Sequence, residues 1–244
     1  MIELLIFGAL TGFVSGYFGV GGGMVLVPML IYYGFDMKQA VAISIMQMVF
    51  SSIYGSFLNA KKSTGVIKDG LILGIGGFIG GLQSGFIVSN VSARSLEYLF
   101  LALVAFAIFR IFISNVQEEQ IQKEKSKLTL LTIGFIIGMV AMSIGIGGSI
   151  MLTPILLGFM GYNLKIATSL SLFFVMFSSV AGFISMSYNG QMLYSEGAIV
   201  GAASLIGVYF GIKLKHNTHV VSYKKFILIL YVLILVSMIN KTIF

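Results

Sequence analysis

Residues 12–28, GFVSGYFGVGGGMVLVP, interrupt an apolar segment with a cluster of glycines and end at a proline. A second copy of this pattern occupies residues 138–154, GMVAMSIGIGGSIMLTP. Each copy contains G-x-G-G followed by proline, and these two prolines are the only ones in the chain. We call residues 19–22 and residues 145–148 the first and the second glycine turn. A helix that stops and restarts once in each half is typical of membrane proteins with a central binding site.

The composition predicts a multi-pass α-helical protein of the cell membrane. Hydrophobic residues make up 58% of the chain and charged residues 9%, with a mean hydropathy of +1.03, whereas an ordinary soluble domain carries about 25% charge. The chain has no cysteine, which excludes disulfides and thiolate metal sites. Its net charge of +7 suits loops that face anionic lipid better than nucleic acid, so the bilayer is the expected partner.

Apolar segments follow the same order in both halves of the chain. A spanning helix needs about 20 residues, so the second segment of each half is too short to cross a bilayer. The first half contains segments at Ile2–Phe18, Gly23–Tyr33 and about 38–59, 66–90 and 94–114; the second contains them at about 128–144, 149–160, 164–188, 192–213 and 223–240. We therefore predict a first membrane repeat at residues 1–114, a charged cytoplasmic linker at residues 115–127, and a second membrane repeat at residues 128–244.

The internal repeat extends well beyond the glycines. Residues 34–44, GFDMKQAVAIS, match residues 161–171, GYNLKIATSLS. The offset between the halves is 126 residues at the glycine turns and 127 residues afterwards. Two halves that repeat in this way share one architecture.

The positions of the basic residues predict how each half crosses the membrane. If each glycine turn lies within one crossing, the fifteen lysines and arginines divide into eight and seven. If each turn is the tip of a hairpin, only Lys38, Arg94 and Lys241 fall on one side; the other twelve, which include Lys213 and Lys215, fall on the opposite side. Cytoplasmic loops collect positive charge, which favours the hairpin. Each half then has a hairpin and three crossings, so the repeats are inverted, both termini lie outside, and 8–10 helical segments are expected.

The two glycine turns, each followed by a proline and a polar helix, resemble the sulfite exporter TauE/SafE family of permeases. The polar helices are residues 38–56, KQAVAISIMQMVFSSIYGS, and residues 165–183, KIATSLSLFFVMFSSVAGF. The resemblance covers nearly the whole chain. It implies a secondary transporter of small anions, such as sulfite, organosulfonates or related sulfur-containing or carboxylate anions, and leaves the particular anion and the direction of transport open.

The glycine turns are the first candidate for the substrate site. A helix break in lipid leaves backbone groups unpaired, which is tolerated where the break is buried in protein or lines a cavity. The helices that restart after the turns present free N–H groups and the positive end of a helix dipole, which suit an anion. The alternative is that the glycines only allow close helix packing. The candidate residues are Gly19, Gly21, Gly22, Gly23, Gly145, Gly147, Gly148 and Ser149.

A polar stripe on the helix after each turn is the second candidate. Ser44, Gln47 and Ser51 are spaced by three and four residues and share one helix face, with Gln47 the strongest single candidate. Their hydroxyl and amide groups could coordinate an oxyanion, or the hydroxyls could bond to their own helix and join helices together. The second half offers Thr168, Ser171 and Ser178.

Several other features have structural interpretations. Two ladders of glycines predict close packing between helices. Arg110 is expected to extend towards the cytoplasmic surface, the alternative being that it attracts anions at the inner mouth. The two histidines are expected in a solvated loop. The ladders are Gly70, Gly74, Gly77, Gly81 and Gly85 in the first half, and Gly197, Gly201, Gly207 and Gly211 in the second.

The absence of acidic residues from the middle of every apolar segment argues against a cation carrier. No histidine or acid lies there to activate a serine, so we expect no catalytic residue, no metal and no cofactor. The expected mechanism is alternating access with the substrate near the midplane between the glycine turns. The rivals are an anion channel, a membrane-embedded enzyme and a non-transporting assembly partner. A coupling proton and a homo-oligomer are left open.

Overall fold

The computed structural model describes residues 1–60, 67–113, 126–158, 160–162, 164–216 and 220–243. These ranges contain α-helices and no strand, which confirms the predicted fold class. The helices are α1 (Ile2–Phe18), α2 (Gly23–Tyr33), α3 (Met37–Ala60), α4 (Ile67–Gly81), α5 (Ser84–Asn90), α6 (Ala93–Ile113), α7 (Lys127–Ser143), α8 (Ser149–Gly158), α9 (Leu164–Tyr188), α10 (Tyr194–His216) and α11 (Val220–Ile243). Most of the predicted linker, residues 115–125, and His219 lie outside the described residues.

Five helical spans in the described ranges are long and apolar enough to cross a membrane. They are Met37–Leu58, Lys68–Asn90, Ala93–Ile113, Ile166–Tyr188 and Tyr194–Lys215. The helices on either side of the glycine turns, α1, α2, α7 and α8, are apolar but shorter. The lengths therefore agree with a multi-pass membrane protein in which the first two helices of each half are shorter than a full membrane span.

The chain folds back at each glycine turn, most clearly in the first half. The rings of Phe7 in α1 and Tyr33 in α2 have their centroids 5.8 Å apart, whereas a straight helix would separate these residues by about 39 Å at 1.5 Å per residue. In the second half, a Cβ on Gly148 would fall 2.9 Å from Cγ2 of Ile137 in α7. Helices α1 and α2 thus form a hairpin with the first glycine turn at its tip, and the second turn folds back against the middle of α7.

The first helix of each half packs against a helix of the other half. A Cβ on Gly8, Gly12 or Gly16 of α1 would lie 2.0–2.4 Å from a carbonyl oxygen of α10. The partners are Val200, Ser204 and Val208 in that order, so α1 and α10 run parallel. In the same way α7 lies beside α4, where Gly134 meets Leu73 and Gly138 meets Gly77. Glycine is required at these crossings because the two backbones touch.

The glycine ladders have the predicted packing role. Gly70 and Gly74 of α4 lie against the rings of Phe173 and Phe177 in α9. At the equivalent positions of α10, Gly197 and Gly201 lie against Met46 and Phe50 of α3. The remaining ladder glycines contact α9 or α1: Gly77, Gly81, Gly85, Gly207 and Gly211.

Helices α3 and α9 cross at the centre of the molecule in opposite directions. A Cβ on Gly182 would lie 3.4 Å from Ile45, and a Cβ on Gly55 would lie 2.8 Å from Leu172. Between these contacts the hydroxyl oxygens of Ser52 and Ser179 are 3.4 Å apart. Residue numbers rise along α3 as they fall along α9, so the helices are antiparallel. Ser52 and Ser179 are also 127 residues apart, so equivalent residues of the two halves meet here.

The predicted apolar segment at about 66–90 is confirmed as a candidate membrane span, Lys68–Asn90, and its helix is interrupted between α4 and α5. Ser185 of α9 inserts its hydroxyl into the break, donating to the carbonyl of Leu82 at 2.6 Å and accepting from the amide of Gly85 at 2.9 Å. A side chain that enters the helical hydrogen-bond ladder is a recognised cause of a kink. This break raises the number of helices in the described ranges above the expected 8–10.

Candidate functional site

The two glycine turns lie against each other. A Cβ on Gly23, the first residue of α2, would fall 2.1 Å from the carbonyl oxygen of Gly145 in the second turn. Gly21 and Gly147 both face the sulfur of Met48 and the side chain of Val175, at 2.6–3.4 Å from their Cβ positions. Met48 and Val175 are 127 residues apart and occupy equivalent places in α3 and α9. The candidate glycines of both halves therefore share one small region.

The turns adopt a backbone conformation that favours glycine. The φ angles are 69–84° at Gly19, Gly21 and Gly22, and 70–79° at Gly145, Gly147 and Gly148. A side chain at such a positive φ is strained. The glycines thus reverse the chain without adding side-chain bulk where the two turns meet.

Unpaired amide groups line each turn. The N–H groups of residues 21–24 and of residues 147–150 find no acceptor among the described residues. The first helical hydrogen bonds begin only afterwards, with the amides of Val25 and Leu26 bonding to the carbonyl of Gly22 at 3.1 Å. The second half repeats this with Met151 and Leu152 bonding to the carbonyl of Gly148.

The resulting electrostatics suit an anion. Helices α2 and α8 both point their N-terminal ends at the shared region, and neither has an acidic residue in its first turn. Unpaired N–H groups and the positive end of the helix dipole attract negative charge. Two such ends converge here, so the polarity of the region can favour an anion without a charged side chain.

The polar stripe on α3 faces the turns as its spacing predicts. Ser44 donates to the carbonyl of Gly145 at 2.6 Å, and Ser51 donates to the carbonyl of Gly21 at 3.2 Å. Gln47 is fully buried, yet neither its Nε2 nor its Oε1 has a hydrogen-bond partner within the described ranges. Its amide lies beside the first turn, 2.9–3.0 Å from where a Cβ of Gly22 would be. Leaving a buried amide unpaired costs about 1–3 kcal/mol, and the protein bears this cost at Gln47, beside the first glycine turn.

The polar residues of α9 make two kinds of contact, some with other elements and one with α9 itself. Ser171 shares a 2.9 Å hydrogen bond with Thr153 of α8, and the carbonyl of Thr168 would lie 2.4 Å from a Cβ on Gly19. Ser178, in contrast, donates to the carbonyl of Phe174 in its own helix at 3.1 Å, which is the structural alternative. Ser149, the first residue of α8, has a fully buried hydroxyl without a partner in the part of the chain that the structure describes.

Some residues of this region carry no sequence signal. Met48 and Val175 fill the space between the turns, and apolar side chains within a helix look like ordinary core. Phe174 occupies the position equivalent to Gln47, and its ring lies 2.6 Å from where a Cβ of Gly148 would be. Thr153 was missed although it stands directly before Pro154. The two halves therefore present the same backbone but different side chains.

Every candidate residue is buried in this conformation. Arg110, expected to extend towards the cytoplasmic surface, places Nη2 2.4 Å from the Cβ position of Gly158 at the end of α8. A cation at the C-terminal end of a helix is favoured by the helix dipole.

Comparison with known proteins gives consistent matches. The family model described as sulfite exporter TauE/SafE matches residues 4–238. The chain is 29% identical over 199 residues to a probable membrane transporter protein of Haemophilus influenzae, covering 76% of this chain and 73% of the relative. It is 30% identical over 190 residues to one of Methanocaldococcus jannaschii, covering 75% and 70%. It is 24% identical over 240 residues to the probable membrane transporter protein YunE of Bacillus subtilis, covering 87% and 86%. No solved structure matches at the same level of significance.

Proposed function

Because the chain belongs to the sulfite exporter TauE/SafE family, it is a membrane transporter, and we propose that its substrate is a small anion held between the two glycine turns. The expected substrates are sulfite, organosulfonates and related sulfur-containing or carboxylate anions. The observation that carries this proposal is the convergence of two sets of unpaired amides, residues 21–24 and 147–150.

The chemistry of this region suits reversible binding. Hydrogen bonds from backbone amides to a charged group are each worth about 1.5–3 kcal/mol. Gln47 and Ser149 add buried polar groups that have no partner of their own. Substrate passage requires a site that binds well enough to load and weakly enough to release, and dipolar donors without a charged side chain meet both needs.

We also propose that the repeats are inverted and that the turns enter from opposite faces of the membrane. The hairpins and the antiparallel crossing of α3 and α9 support this. If each turn lay within a single crossing, each half would cross the membrane four times, and the equivalent helices α3 and α9 would run parallel. Access then alternates as the halves move relative to each other. The burial of the candidate residues supports a carrier with a closed state over an open channel.

Cysteine labelling tests the orientation, since the chain has no cysteine of its own. Ser126→Cys, just before α7, is expected to react only with a reagent on the cytoplasmic side. Asn189→Cys, just after α9, is expected to react only from outside. Reaction of both residues from the same side would contradict the inverted arrangement.

The function is tested by anion flux in proteoliposomes. Sulfite, sulfate, thiosulfate, small sulfonates and small carboxylates are offered with and without a pH gradient. A carrier gives saturable flux of at least one anion, and a channel gives flux that does not saturate. Gly21→Leu and Gly147→Leu are expected to insert in the membrane and to abolish transport. Wild-type flux in both variants would remove the turns from the mechanism, and no flux from folded wild-type protein would refute anion transport.

A further inference from the structure

Gln47 of α3 carries both a donor and an acceptor that lack partners. Its side chain is fully buried, and neither Nε2 nor Oε1 makes a hydrogen bond to any described residue. Assigning the nitrogen and the oxygen the other way round changes nothing, because both positions are unpaired. A carboxamide offers two N–H donors and one carbonyl acceptor. A ligand that satisfies this side chain therefore provides an acceptor and a donor together.

The amide of Gln47 faces the first glycine turn. Its Nε2 lies 2.9 Å, and its Oε1 3.0 Å, from the position that a Cβ on Gly22 would take. The unpaired backbone amides of residues 21–24 belong to the same turn. The two serines of the polar stripe on α3, in contrast, donate their hydroxyls to carbonyls of the turns. Gln47 is thus the polar side chain of this stripe that remains for a substrate.

The amide acceptor belongs to the first half only. Phe174 holds the equivalent place in α9, and its ring packs against Gly148 of the second turn. The second half has instead the hydroxyl of Ser149, at the position equivalent to Gly23, which is buried and unpaired among the described residues. A hydroxyl donates as readily as it accepts, so it adapts to an anion, whereas Oε1 of Gln47 only accepts.

We propose that Gln47 selects small anions that carry a hydrogen-bond donor, such as the O–H group of hydrogensulfite, a hydroxysulfonate or a hydroxycarboxylate. This inference rests on the proposed function. The charged oxygens of the substrate accept from the backbone amides of the turns and from Nε2, and its O–H group donates to Oε1. When the site is open, water pairs with Oε1. An anion without a donor displaces this water and leaves the oxygen unpaired, which weakens its binding.

The test compares pairs of anions that differ by one hydroxyl group. Glycolate is set against acetate, and isethionate, the hydroxylated ethanesulfonate, against ethanesulfonate. Each competes unlabelled with the uptake of labelled sulfite into proteoliposomes, or of whichever anion the wild-type protein transports. All of them carry one negative charge at neutral pH, so charge does not distinguish the members of a pair. We expect the hydroxylated member of at least one pair to halve the uptake at a concentration lower by about tenfold or more.

Two variants assign this preference to a residue. Gln47→Leu removes the acceptor, and Gln83→Leu, at an exposed glutamine in the break between α4 and α5, is the matched control. The preference should fall to within about threefold in Gln47→Leu, because no acceptor remains for the hydroxyl. It should keep its wild-type value in Gln83→Leu. Gln47→Met replaces the leucine variant if that variant does not insert.

Several results overturn the inference. If neither pair shows the preference in the wild type, whether its members compete equally or none competes, the site does not recognise a hydroxyl. If the preference persists without the amide of Gln47, another group recognises the hydroxyl. If neither apolar variant inserts, the amide serves folding, which contradicts its lack of partners. Absence of saturable flux of every anion in the wild type would instead refute the proposed function.

Discussion

Gly23→Ala should separate the two glycine turns. Gly23 has an ordinary helical φ, so the only obstacle to alanine is space: its Cβ would meet the carbonyl oxygen of Gly145 at 2.1 Å and the hydroxyl of Ser44 at 2.4 Å. Normal contact requires the turns to part by about 1 Å or more. Overpacking costs about 1–3 kcal/mol, and loss of the hydrogen bond between Ser44 and Gly145 costs about 0.5–1.5 kcal/mol. The expected loss of stability is therefore roughly 2–4 kcal/mol.

The measurements are the melting temperature of the purified protein in detergent and anion flux in proteoliposomes. For a chain of this size the expected fall in melting temperature is about 5–15 °C, with flux strongly reduced. Gly182→Ala in α9 is the matched control, because its Cβ would meet no atom closer than 3.4 Å, and it should leave the melting temperature unchanged or slightly raised. Wild-type stability and flux in Gly23→Ala would refute the contact between the turns.

Three further substitutions test individual contacts. Gln47→Leu removes a buried amide without a partner, so the melting temperature should stay or rise while KM for the transported anion increases; a lower melting temperature with unchanged KM would contradict this. Ser185→Ala should lower the free energy of unfolding by about 1–3 kcal/mol, because the carbonyl of Leu82 and the amide of Gly85 lose their partner. Ser187→Ala should leave stability unchanged, because the hydroxyl of Ser187 has no partner among the described residues. Tyr162→Phe removes the hydrogen bond that the tyrosine hydroxyl donates to Asp69; burial raises the pKa of Tyr162, which keeps this hydroxyl protonated and able to donate. The melting temperature should fall by a few degrees, and no change would show that this bond does not contribute to stability.

The hairpins and the repeat were predictable because they depend on a few strong signals. Glycines that require positive φ, two prolines at matching places and segments too short to span a bilayer all act locally, and the positions of the lysines limit how the helices thread the membrane. The polar face of α3 was also readable, since residues spaced by three and four necessarily share one side of a helix. Ser44, Gln47 and Ser51 lie beside the turns for that reason.

The contacts that depend on distant helices were not predictable. The break between α4 and α5 depends on Ser185, about a hundred residues further along the chain. Residues 66–90 taken alone look like one continuous helix rich in glycine. Ser178 has the spacing of a site residue, yet the carbonyl one turn before it offers a closer partner.

The difference between a repeated backbone and unrepeated side chains bears on how such a carrier works. If two inverted halves were identical, the conformations open to either side would be related by symmetry and would have the same energy. In this chain Gln47 is matched by Phe174 and Lys215 by Val88, all of them buried. Each replacement changes the polarity of one half only, so under the proposed alternating access the conformations open to either side would differ in energy. If access alternates as proposed, substitutions at these pairs should shift the balance between the conformations, whereas substitutions in the glycine turns should affect both.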